Sequence, residues 1–149
     1  MVISNRSITL STLQRIVEWN EKRGLLDKGF DKKRETSFLI EEILEFNGCK
    51  GEVKELARQI AEDIDNEYIT YNLDIEYVTP DNQDIIDGLG DLIIFATGAM
   101  AKKLKAINSP HTVDDIINLI MDANDRKGSK TDAYGKLTKD KEFAQPKLV

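Results

Sequence analysis

Apolar residues recur at three- and four-residue spacings in four to five stretches of this chain, and no stretch alternates apolar and polar positions well enough to build a sheet. The pattern predicts an all-α protein, a helical bundle of four to five helices. The first helix is predicted from about Ser11 to Arg23, with Leu13, Ile16 and Val17 on one side and Gly24 placed to end it. The second is predicted from about Lys33 to Phe46, stopping at Asn47-Gly48, a pair that readily takes the left-handed backbone at which helices end. The third, about Glu52 to Tyr68, aligns Val53, Leu56, Ala57, Ile60 and Ile64 opposite its charges and is expected to be an amphipathic surface helix.

Thr79-Pro80-Asp81 predicts the start of a fourth helix, because Thr caps, Pro suits the first position and Asp favours the positive end of the dipole. That helix runs to about Lys105. Ser109-Pro110 interrupts the chain, and Thr112 with Asp115 forms a capping-box-like start for a fifth helix ending near Asn124. Its apolar face is Val113, Ile116, Ile117 and Ile120. From Gly128 onward periodicity is lost, so an extended C-terminal tail is expected, packed on the body or mobile. There is no internal repeat.

At 149 residues the chain fits a single domain that buries a core without disulfides. Its one cysteine, Cys49, forms no internal bridge, and no secretory signal is seen, so a cytoplasmic location is expected. The longest uncharged stretch, Leu92 to Ala101, is about half of the roughly 20 residues a membrane span needs. It reads as a buried helix segment, with no membrane partner. The net charge of −6 argues against a general nucleic-acid binder, but the average hides a split. Residues 126–149 carry 7 basic against 3 acidic residues, about +4, whereas residues 1–125 sum to about −10. The basic tail is either a solvated terminus or a phosphate-gripping segment laid over an acidic site.

Two acidic stripes carry candidate chemistry. Glu41, Glu42 and Glu45 lie at i,i+4 and i,i+3 spacings and share one face of the second helix. A solvated acidic face tolerates that repulsion; a bound cation removes it, and Phe38, within the same arc, favours the cation. On the fourth helix Asp84, Asp87 and Asp91 form one stripe, although Asp is a poor helix former. Ile85, Ile86, Leu89, Leu92, Ile93 and Ala96 cover the other side, and Ile94, Phe95 and Gly98 continue the stripe itself. A helix apolar nearly all round is expected to be buried, with Asp91 where burial begins, and a buried carboxylate requires a cation, a donor or a proton.

Hard carboxylate oxygens on two helices suit Mg²⁺, with Mn²⁺ an alternative. The only histidine, His111, falls in a loop, which argues against di-iron and most zinc sites. There is no Gly-rich phosphate loop, and Cys49 has no evident catalytic partner.

Glu41-Glu42-Ile43-Leu44-Glu45 resembles the Glu-Glu-x-x-Glu signature of the all-α NTP pyrophosphatases, the group that contains MazG, the dimeric dUTPases and phosphoribosyl-ATP pyrophosphohydrolase. Asp87-Gly88-Leu89-Gly90-Asp91-Leu92 is similar to its second signature, Glu-x-x-Asp at the start of a buried helix, except that Gly88 stands where the Glu is expected. Asp87 is then the expected substitute ligand, with Asp84 or a water as the alternatives. The tail pattern Ala123-Asn124-Asp125-Arg126-Lys127, Asp132-Ala133-Tyr134-Gly135-Lys136, Lys139, Phe143 and Pro146 resembles the phosphoribosyl-ATP-pyrophosphohydrolase-like branch, phage members included.

The resemblance implies a MazG-like homo-oligomer, dimer or tetramer, that hydrolyses a nucleoside triphosphate to monophosphate and pyrophosphate. It further implies that Glu42, Glu45, Asp87 and Asp91 hold Mg²⁺, that Glu41 positions or deprotonates water, and that Asn124, Lys127 and Lys136 approach substrate phosphates or base. Trp19 stacking on a base and Asn20 reading its edge are candidate contacts, against simple packing and solvation. Lys32, Lys33 and Arg34 are candidates for phosphate or for a solvated basic loop. The competing expectation is a non-catalytic acidic helical module that binds a partner.

Overall fold

The computed structural model describes residues 10–128, 130–139 and 144–149; Phe143 of the tail pattern lies outside them. The chain is all-helical: α1 (Thr12–Lys22), a 3-10 turn (Leu26–Lys28), α2 (Lys32–Phe46), α3 (Val53–Asp65), α4 (Asn82–Ala106) and α5 (Val113–Asp125). Among the described residues the only extended pairing is an isolated antiparallel bridge between Thr131 and Leu137.

Local chemistry sets most of the helix ends. Ser11 caps α1 by accepting from Gln14 N–H, and Asp31 caps α2 by accepting from Arg34 N–H. Thr112 and Asp115 exchange both bonds of a capping box at α5. At the end of α2, Asn47 stays right-handed and Gly48 takes φ 85°. Gly48 N–H then donates to Glu45 C=O and Cys49 N–H to Leu44 C=O, the paired bonds that close a helix C-terminus.

Two starts and ends differ from the sequence expectation. α3 stops at Asp65 instead of Tyr68, because Glu67 adopts φ 61° and the same paired bonds close the helix there, Glu67 N–H to Ile64 C=O and Tyr68 N–H to Asp63 C=O. α4 starts at Asn82, so Pro80 precedes the helix instead of opening it. α2 begins at Lys32, within one residue of the expected start, so Lys32 to Arg34 form its first turn and not a basic loop.

The chain divides into two compact units. One, Gly29–Asp81, is the antiparallel α2–α3 hairpin and its loops. Val53, Ala57 and Ala61 of α3, at i,i+4 spacing, are buried opposite Ser37 and Glu41 of α2. The small alanines let the backbones approach, and Lys33 closes the open end on Glu62 at 2.7 Å. The other unit combines α1, the 3-10 turn, α4, α5 and the tail. There α1 and α5 run in the same direction: Thr12 donates to Asp114 (2.8 Å), Arg15 to Asn118 (2.9 Å), Asp122 (2.6 Å) and Asp125 (3.0 Å), and Arg23 to the carbonyls that end α5. Among the described residues of this unit, the buried apolar ones are Leu104, Ile116, Met121 and Ala123.

Candidate functional site

In the α2–α3 hairpin the three glutamates do not share one environment. Glu41 is 5% exposed because it sits on the seam with α3, one turn beyond Ser37, while Glu42 and Glu45 are exposed. Glu41 and Glu45, one turn apart, line a cavity of about 600 Å³ at the turn end of the hairpin, whose other walls include Lys50, Lys54, Glu55 and Arg58. Arg58 reaches Glu55 at 3.6 Å. Gly48 and Gly51, at φ 85° and 92°, carry the connecting turn around this cavity in backbone conformations that a side chain disfavours. Phe38 is half-buried.

On α4 the helix is continuous through Asp84, Asp87 and Asp91, so the acidic stripe exists as spaced. The expected burial does not. Ile86, Ile94 and Phe95 are 70%, 65% and 74% exposed, and Asp91 is exposed as well. The reason is that, among the described elements of its unit, α4 packs only on α5, and its one buried residue, Leu104, lies near the end where the chain turns back. Asp91 therefore needs no cation to offset burial in this chain.

The substrate-contact candidates Trp19, Asn20, Asn124 and Lys127 come together where α1 and α5 end. Arg23 organises them. Its guanidinium lies 4.4 Å from the Trp19 ring centroid and donates to the carbonyls of Asn124 (3.4 Å), Asp125 (3.3 Å) and Lys127 (3.3 Å). Asn20 Nδ2 donates to Ile16 C=O of its own helix at 2.8 Å. Among the described residues, Trp19 Nε1 and Arg23 Nε are buried donors without a hydrogen-bond partner. Arg23 was missed by motif reasoning; its position four residues after Trp19 is the available signal.

Lys136 sits in a tight turn of the tail. The Asp132 carboxylate accepts from Tyr134 N–H (2.9 Å) and Lys136 N–H (3.1 Å), and Lys28 Nζ reaches Thr131 Oγ1 at 3.4 Å. The described tail thus packs on its own unit. Lys32, Lys33 and Arg34 are engaged within the hairpin, with Asp65 (3.9 Å), Glu62 (2.7 Å) and Glu35 (3.0 Å). His111 is half-buried before α5, its backbone N–H donating to Ser109 Oγ.

Among the described residues no group of three or more His, Cys, Asp or Glu is gathered as a metal cage. Nor is any helix among them long and apolar enough to cross a membrane. No protein-family model matches the chain, and no curated protein or solved structure matches it significantly.

Proposed function

We propose that this chain is a Mg²⁺-dependent nucleoside triphosphate pyrophosphohydrolase, converting an NTP or dNTP to the monophosphate and pyrophosphate. The observation that carries this reading is that two continuous helices each present a pair of exposed carboxylates at helical spacing: Glu42 and Glu45 on α2, Asp87 and Asp91 on α4. Such pairs fit the metal's chemistry. Mg²⁺ is commonly held by one or two carboxylates and completes its shell with water and substrate phosphates, so a closed protein cage is not required. When bound, it neutralises phosphate charge and polarises the anhydride.

The chain's own groups supply the rest of this reading. Glu41, on a cavity wall beside Glu45, is assigned to orienting or deprotonating water. Lys127 and Lys136 contact phosphate oxygens, while Trp19, Asn20 and Asn124 take the nucleoside end. The active form is a homodimer or homotetramer, with the uncovered apolar side of α4 as its seam.

The test is release of pyrophosphate and monophosphate from a panel of canonical and modified NTPs and dNTPs, with and without Mg²⁺. Metal-dependent release that falls to background in Glu42→Ala and Asp91→Ala, with helicity retained, is the expected result. No turnover with Mg²⁺ or Mn²⁺ saturating would return the chain to the second reading, an acidic partner-binding module. Gly88, at the position where a ligand is expected, favours that second reading.

A further inference from the structure

The cavity at the α2–α3 turn is not absorbed by the carboxylate chemistry alone. Lys50, Lys54 and Arg58 follow one another at i,i+4 spacing from the turn into α3, and all line the same space of about 600 Å³ as Glu41 and Glu45. Counting Glu52 and Glu55, the lining carries four carboxylates and three cations. A divalent ion held at Glu45, the proposed metal ligand that lines this space, therefore turns the lining net positive, a balance suited to a polyanion that arrives with its metal. The first turn of α3 lies on the same wall, and Glu52 makes no side-chain cap there, which adds backbone donors to the cationic side.

We propose that this cavity holds the terminal phosphates of the triphosphate, with Lys50, Lys54 and Arg58 as additional phosphate-contacting residues. The proposal rests on the pyrophosphohydrolase reading for its substrate, but the site lies wholly within the hairpin. The chemistry selects phosphate: a flexible ammonium pair and a planar guanidinium match a group with several anionic oxygens. Lys50 belongs to the glycine-flanked turn between Gly48 and Gly51, which positions it from backbone outside either helix.

Titration of the full-length protein with Mg²⁺ and inorganic tripolyphosphate by calorimetry tests the site without needing the nucleoside. Wild type is expected to bind, and the Lys54→Gln/Arg58→Gln double variant to lose about tenfold or more in affinity, as expected for charge-assisted hydrogen bonds. Lys102→Gln, an exposed cation on α4, is expected to leave affinity unchanged. Lys50→Gln alone, in the turn and outside the helices, is expected to weaken binding severalfold; it decides the matter if the double variant loses helicity. In turnover assays the same substitutions raise KM for the nucleotide more than they lower kcat. Absence of tripolyphosphate binding by wild type, or unchanged affinity in the folded double variant or in Lys50→Gln, overturns the site. The two readings fail separately. Groove-dependent binding with no nucleotide turnover removes the enzyme and keeps the site, whereas turnover with unaltered affinity and KM removes the site and keeps the enzyme.

Discussion

Asp115 shows how much one side chain does at a helix start. Its carboxylate accepts from the Thr112 backbone N–H at 2.7 Å and is held below the ordinary aspartate range, chiefly by that backbone bond and then by the Thr112 side chain. A lowered folded-state pKa means stability that is fully present above the unfolded value, about 3.9, and is lost as pH falls through the folded value. Thermal midpoints measured across the acid range should therefore fall more steeply below about pH 4 in wild type than in Asp115→Asn. Glu62, lowered first by its bond from Lys33 and then by Asn66, acts in the same window. Only the difference between the two curves isolates Asp115, and parallel curves would remove it from the cap.

Glu67 makes the opposite case. It closes α3 at φ 61°, a conformation that costs an L-residue roughly 1 kcal/mol, where glycine is the usual occupant. Glu67→Gly is expected to stabilise the hairpin by about 0.5–1 kcal/mol in denaturant unfolding, less the extra chain entropy of glycine. A loss of stability would show that the side chain contributes more than the strain removes. Nothing in the local sequence distinguished Glu67 from another helical residue, and so the expected end of α3 ran three residues too far.

At the scale of elements, the α2–α3 seam explains why Glu41 parts from its neighbours. Ala57 and Ala61 are each 1% exposed, and two backbones this close leave room for a short side chain and for the stem of one glutamate. Ala57→Leu is expected to overpack the seam and cost about 1–3 kcal/mol, read by urea unfolding. A neutral result would mean that the seam has space the burial denies. The spacing of Glu41, Glu42 and Glu45 was legible from sequence; which of them turns inward was not, because that depends on where α3 lies against α2.

For α4 the same limit acted on a whole helix. Its apolar composition and acidic stripe were read correctly, and its burial was not, since hydrophobicity all round states that cover is needed and leaves the source of that cover open.

For the molecule as a whole, the uncovered apolar surface of α4 is the feature that calls for a partner. Exposed Ile86, Leu92, Ile93, Ile94 and Phe95 on one helix exceed the scattered apolar exposure of ordinary surfaces. Under the proposed homo-oligomer, sedimentation of wild type should give a dimer or tetramer and Phe95→Glu a smaller species with retained helicity. A wild-type monomer at micromolar concentration would remove the seam from α4.

What the sequence determined by itself is the set of interactions that span a few residues: five helices, the Ser11, Asp31 and Thr112–Asp115 starts, the Gly24 and Gly48 stops and the carboxylate spacings all follow from groups within about one turn of each other. What tertiary structure decided is which of those groups meet across long stretches of chain. Arg23 reaching the end of α5 about 100 positions away, Glu41 entering the seam, and Lys50, Lys54 and Arg58 lining one cavity with Glu41 and Glu45 are such cases. Their contacts depend on the direction and separation of packed helices, quantities that helical periodicity leaves undetermined.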